Sequence, residues 1–172
     1  MNGRTRNLVR ACLLLCACTP AASRALAQAP STPAARYAGA IEQELAAMGI
    51  EAHCATAQDG RDDCTWAGRS APSKRDLTLH AVYSDATDTV YFYVERYLVL
   101  APEAPRTQLV LRRLMELNWE LLIGKFEWNP RTGEVRISAV LNTDSNFDRR
   151  AFRSIVHALD SIAVRYAGEL RG

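Results

Sequence analysis

Two stretches between Leu77 and Leu141 alternate apolar and polar residues with a period of two, a third between them is apolar on both faces, and only one helical pattern interrupts them. In Leu77 to Ser84, Leu77, Leu79, Ala81 and Tyr83 fall on one side. In Thr89 to Leu100, Val90, Phe92 and Val94 share one face, and Tyr91, Tyr93 and Tyr97 are expected on the other. In Glu134 to Leu141, Val135, Ile137, Ala139 and Leu141 alternate with Glu134, Arg136 and Ser138. Period two reads as strand. A strand with one wet face belongs to an antiparallel sheet covered on one side, whereas Thr89 to Leu100, apolar on both faces, suits the sheet's centre. Strands that follow one another rather than alternating with helices give an α+β fold, an antiparallel sheet packed against helices.

The remaining elements follow from periodicity and turn chemistry. Tyr37, Ile41, Leu45 and Met48 recur at helical spacing over 35–48, and Gly49 is placed to end that helix. Short strands over 50–57 and 63–67 flank Gln58-Asp59-Gly60-Arg61, a hairpin turn. A polar loop with Pro72 follows. A second helix is expected over 106–122, with Val110, Leu114, Leu117 and Leu121 in one stripe and Leu111, Met115, Asn118 and Leu122 in an adjacent one. So wide an apolar face calls for cover on more than one side, by the sheet and another helix or a second subunit. Lys125 to Asn129 is a strand with Phe126 and Trp128 inward, joined to the next through Asn129-Pro130-Arg131-Thr132-Gly133. A last helix over 147–169 buries Phe152, Ile155, Val156, Leu159, Ile162, Ala163 and Tyr166, with Ser145 as its expected cap.

The first 27 residues read as an export signal. Arg4, Arg6 and Arg10 precede the apolar run Ala11 to Cys18, and Ala25-Leu26-Ala27 offers a small-x-small cleavage site. The run is short of the roughly 20 apolar residues that a membrane span needs, and no later segment is long and apolar enough. Leu15-Cys16-Ala17-Cys18 also resembles a lipoprotein box, which would tether the chain to a membrane through Cys18. Both readings place the domain outside the cytoplasm, periplasmic or secreted in one case and lipid-anchored in the other. Residues 28–35, rich in Ala and Pro, read as a disordered lead-in, and 36–172 as a single domain.

Export changes the charge. The chain has 21 basic and 19 acidic residues, but Arg4, Arg6, Arg10 and Arg24 precede Gln28, leaving 17 basic against 19 acidic beyond it. That balance excludes the basic footprint of a nucleic-acid binder. Beyond residue 27 only Cys54 and Cys64 remain, one on each side of the hairpin turn. In an oxidising compartment such a pair is most simply a disulfide. The short loop it closes is worth on the order of 2–3 kcal/mol.

Motifs of chemistry are scarce. His53, His80 and His157 have no ligand-like spacing. Asp144, Asn146 and Asp148 match the start of a calcium loop, but Arg149 stands where Gly is needed and Ile155 where Glu is needed. No nucleophile elbow, phosphate-binding loop or His-Glu-x-x-His is present. The expectation is a non-enzyme without cofactor or metal.

The run from Leu114 to Trp128, Leu-Met-Glu-Leu-Asn-Trp-Glu-Leu-Leu-Ile-Gly-Lys-Phe-Glu-Trp, resembles the YbjN-like family of bacterial proteins, regarded as sensory-transduction regulators. Leu117 and Asn118 close an amphipathic helix, Gly124 and Phe126 open a strand, and an alternating strand and a long helix follow. The resemblance implies a type III secretion chaperone-like order: helix, strands, helix, hairpin, helix. It also implies dimers that bind extended segments of other proteins. An export signal and the Cys54–Cys64 hairpin depart from the family's usual pattern. Asn118 is expected to bond free backbone groups near the helix end. The expected function is an exported, protein-binding, chaperone- or adaptor-like module, with Leu111, Met115, Leu122, Tyr91 and Tyr93 as the candidate interface. The alternative is a small-ligand or envelope-stress sensor.

Overall fold

The alternating stretches pair in the order the chain makes them, with one inversion at the end. The computed structural model describes residues 36–69 and 77–171, which fall within one unit spanning 33–172. The expected export signal with Cys18, the lead-in 28–35 and most of the Pro72 loop lie outside the described residues. The elements are α1 (Ala38–Ala47), β1 (His53–Thr56), β2 (Asp62–Ala67), β3 (Thr78–Ser84), β4 (Thr89–Val99), α2 (Pro105–Glu120), β5 (Lys125–Trp128), β6 (Glu134–Asn142), α3 (Arg149–Arg165) and α4 (Ala167–Arg171). All strand pairs are antiparallel, in the order β1-β2-β3-β4-β6-β5. The fold is therefore α+β, and β4, apolar on both faces, lies between β3 and β6.

One face of the sheet is the core. Leu79, Ala81, Tyr83, Val90, Phe92, Val94, Phe126, Val135 and Ile137 are buried there. α3 lies on β4 and β6, α2 on β5 and α1 on β2. α3 contributes Phe152, Ile155, Val156, Leu159, Ile162 and Ala163, and burying each large apolar side chain stabilises the fold by roughly 1.5–3 kcal/mol.

Cys54 faces Cys64 in the β1–β2 register, and the two form a disulfide with Cα atoms 4.0 Å apart. It fastens the sheet's outermost strand, which is only four residues long.

Four expectations need correction. Tyr97 does not share a face with Tyr91 and Tyr93. The β4–β6 register shifts between Val94 and Leu98, with Arg96 at φ 45°. This bulge turns Tyr97 into the core, where its hydroxyl donates to the Ala163 carbonyl at 3.0 Å. The last helix starts at Arg149 rather than Phe147, and its cap is Asp148 rather than Ser145. The Asp148 carboxylate accepts from the Arg150 and Ala151 amides. Phe147, just before the cap, packs on Phe152 at 5.3 Å, a hydrophobic staple that fixes the start. The long helix also breaks at Tyr166, leaving α4 as a separate turn. Finally, α2 ends at Glu120, so Leu122 lies beyond the helix; besides β5, α4 flanks α2, where Arg113 meets Glu169 at 2.5 Å and Arg106 donates to the Leu170 carbonyl at 2.7 Å.

Charge is buried at one point. Glu44, fully buried on α1, is held by Arg149 at 3.2 Å and by the Arg153 guanidinium. Two arginines compensate the cost of taking this carboxylate out of water.

Candidate functional site

The residues expected to form one interface fall on two separate surfaces. Tyr91 and Tyr93 lie on the sheet face away from the helices, and Leu111, Met115 and Leu122 lie on or beside α2.

The open sheet face is a row of stacked rings. His80 stacks on Tyr93 at 4.3 Å with planes 5° apart, and Tyr93 on Tyr91 at 5.4 Å. The Arg136 guanidinium sits 4.7 Å above Tyr93, a cation–π contact. Antiparallel register places these residues side by side, since His80 pairs with Tyr93 across β3–β4 and Tyr93 with Ser138 across β4–β6. Polar atoms close the row. The Tyr91 hydroxyl donates to Glu127 at 2.6 Å, and Lys125 lies 3.1 Å from the same carboxylate. His80 Nδ1 meets Asp63 at 3.0 Å, and Nε2 faces Glu95 at 3.5 Å. Arg136 Nε bonds Glu134 at 2.7 Å. Ser138 is buried near Tyr91 and Glu127, though its hydroxyl makes no well-aligned hydrogen bond. Burial and the bond to Glu127 push the Tyr91 hydroxyl up to about 12. Burial pushes the Glu127 carboxyl up, but the hydrogen bonds from Tyr91 and Lys125 outweigh it and hold it below its ordinary value. Both His80 nitrogens face carboxylates and the ring is covered by Tyr93, so no ring nitrogen is aimed at a serine or cysteine nucleophile. No group of three or more metal-ligating side chains occurs among the described residues.

The second surface is the corner where α2 meets β5. α2 packs inward through Thr107, Val110, Leu114 and Leu117. Its outer ridge carries Leu109, Met115 and Trp119, the last 92% exposed, and the turn beyond it leaves Leu122 fully exposed. Leu111 is half-buried between the two sides. Along the ridge Arg112 pairs with Glu116 at 3.4 Å.

Asn118 and Gly124 shape this corner. The Asn118 side-chain amide accepts from the Phe126 N–H at 2.7 Å and donates to the Phe126 carbonyl at 3.0 Å. It stands where a further strand would pair and so blocks the free edge of β5. Gly124 takes φ 83°, and a Cβ there would press on Ile162 and Leu159 at 3.1 and 3.2 Å. Only glycine turns the chain into β5 this close to α3. Leu117 and Phe126 are buried beneath. Beside the turn lies an open groove of about 480 Å³, walled by Leu122, Ile123, Val140, Ala151, Ser154 and Ile155.

Trp119 was not among the expected interface residues. A helical wheel shows the signal, because Trp119 lies opposite the stripe Val110, Leu114 and Leu117, where a solvated face should be polar. Glu44 also escaped the reading. It lies between Ile41 and Leu45 on the buried side of α1, and its partners Arg149 and Arg153 are more than a hundred residues away.

No protein-family model matches the chain, and no curated protein does.

Proposed function

We propose that this chain is an exported, non-enzymatic protein-binding module of the bacterial envelope that docks its partner through the α2–β5 corner. The carrying observation is the exposed apolar set Met115, Trp119, Leu122 and Ile123 at the end of α2 and in the turn to β5, with Leu109 further back on the same helix, in a domain whose other large apolar groups are mostly buried. Exposed apolar surface concentrated in this way marks an interaction site. Trp and Met are side chains that protein interfaces favour. The groove beside the ridge is open and apolar, which favours a polypeptide over the small ligand of a sensor domain. The Cys54–Cys64 disulfide is compatible with an oxidising compartment. No helix among the described residues is long and apolar enough to cross a membrane. The family reading supports the same function, as YbjN-like and chaperone-like domains would hold extended segments of other proteins.

The test is capture from envelope extract with the full exported chain and with a variant carrying Trp119→Asp and Leu122→Asp. Both side chains are exposed, so the variant keeps its fold. The reading expects a reproducible polypeptide partner that the variant loses. Equal capture by both chains would count against the corner.

A second reading, a homodimer, has its own support. The α2 ridge is self-complementary about Leu114: Leu109 mirrors Trp119, and Arg112 mirrors Glu116. Two antiparallel copies of α2 would set each Arg112 against Glu116 of the partner subunit and each Leu109 against its Trp119, the pattern of an isologous contact. Sedimentation at tens of micromolar distinguishes this case, and a monomer throughout would contradict it.

A further inference from the structure

β6 runs past its neighbour. Its pairing with β5 ends at Lys125 opposite Ser138, whereas β4 accompanies it as far as Thr89 opposite Asn142. Residues 139–142 therefore have a strand on one side only among the described residues. The direction of their backbone groups follows from two hydrogen bonds. Asn129 N–H donates to the Glu134 carbonyl on the β5 side at 2.8 Å, and Thr143 N–H donates to the Asp88 carbonyl on the β4 side at 2.7 Å. Backbone groups along an antiparallel strand alternate sides, so the even-numbered residues face β5. Val140 and Asn142 thus aim their N–H and C=O into the gap where β5 would continue.

The segment that enters β5 does not fill that gap, because Gly124 turns it away and makes Leu122 and Ile123 a wall. The result is the open groove already described, with Val140 half exposed on its floor. The outer edge of β5 contrasts with it, since Asn118 seals that edge at Phe126. One sheet edge is blocked by a side chain, and the other is left with a strand-length vacancy beside an apolar wall.

We infer that an extended polypeptide segment adds to the sheet at this gap, antiparallel to β6 and in line with β5. This rests on the protein-binding reading and gives it a mode, strand addition, in which backbone bonds give affinity and alternate side chains give selectivity. Inward positions of the segment meet Ala151 and Ile155 and take small or β-branched aliphatic side chains. The rims select charge. Lys125, paired with Glu127 at 3.1 Å but still more than half exposed, stands at the end of the gap, and Arg150, one turn before Ser154 on the α3 wall, is exposed and in no ion pair among the described residues. The first turn of α3 carries no acid. The partner segment is therefore aliphatic, alternating and flanked by acidic residues.

The probe is a fluorescent peptide of alternating Val and Thr with Glu at both ends, titrated by anisotropy onto the full exported chain. Its companion is the same peptide N-methylated at the residues that face β6, which keeps the side chains and loses the donors. Two variants complete the test. Val140→Pro removes an N–H that faces away from β4, the one side of a strand on which proline is tolerated. Ser154→Trp fills the groove from an exposed helix position and leaves the strand intact. The expected result is binding to the wild-type chain with slowed amide exchange at Val140 and Asn142. The N-methylated peptide should bind at least about tenfold more weakly, as loss of one backbone hydrogen bond implies, and both variants should lose binding to a similar degree. A probe that fails to bind the wild-type chain, or that binds equally well when N-methylated or to both variants, overturns the inference. The wider reading is decided separately, by capture with Trp119→Asp alone, an exposed position outside the groove wall.

Discussion

The open sheet face and the α2–β5 corner both present aromatic side chains to the outside, yet they differ in what those side chains still lack. On the sheet face Tyr91, Tyr93 and His80 stack on one another, the Tyr91 hydroxyl and His80 Nδ1 are bonded to Glu127 and Asp63, and His80 Nε2, 3.5 Å from Glu95, is buried without a hydrogen-bond partner. A partner arriving there would have to disturb the stacked rings and the Tyr91–Glu127 and His80–Asp63 bonds. At the corner, Trp119 and Leu122 touch little of their own chain, and Val140 and Asn142 turn backbone groups into a groove. The difference teaches that aromatic content alone does not mark a docking surface; unmet contacts do.

That contrast can be broken by substitution. The largest effect is expected inside α2. Leu117→Ala, at a fully buried position, should cost about 2–5 kcal/mol in urea unfolding. Leu122→Ala, five residues on, should stay within about 0.5 kcal/mol while weakening partner capture. Equal losses for the two would mean that the corner is structural.

Next comes the disulfide. Replacing Cys54 and Cys64 with Ser should lower stability by about 2–3 kcal/mol and leave docking unchanged, because β1 and β5 are opposite edges of the sheet. Lost docking in a folded double variant would show that the hairpin takes part.

Asn118→Ala uncaps Phe126 and should cost about 1–3 kcal/mol for backbone groups left unpaired. The free β5 edge should then promote self-association, visible in light scattering. Unchanged stability would show that water replaces the amide without penalty.

The smallest effect belongs to the sheet face and appears only in alkali. Tyr91 is pushed up to about 12, and a tyrosine in the unfolded chain ionises near 10. Between those values the unfolded chain releases the proton and the folded chain keeps it. The stabilisation is therefore full below pH 10 and lost as pH rises through about 12. Tyr91→Phe should flatten stability in that window and leave partner capture intact. A loss of capture would move the docking surface to the sheet.

Much of this architecture was legible in the sequence. Alternation in 77–84, 89–94 and 134–141 gave the strands and their buried faces, because a period of two follows directly from backbone geometry. Asp59-Gly60 between Cys54 and Cys64 placed the hairpin. The bulge at Arg96 was not legible, since the apolar Tyr97 fits either face and only the shift against β6 decides. The cap of α3 was misplaced because Ser145 and Asp148 are both good caps, and the Phe147–Phe152 staple chooses between them. The corner was half legible. Met115 and Leu122 stood out as surplus apolar positions on a wide helix face. The edge gap of β6 was hidden, because it depends on where β5 ends, and Gly124 sets that end through its packing on α3.

The central claim, that docking belongs to the corner and not to the sheet face, is tested most directly by placing a photo-crosslinking amino acid at position 119 or at position 91 of the full chain in living cells. The account predicts covalent adducts to a polypeptide, or to a second copy of the chain, from position 119 and none from position 91. Adducts from position 91 with none from position 119, or none from either, would contradict it.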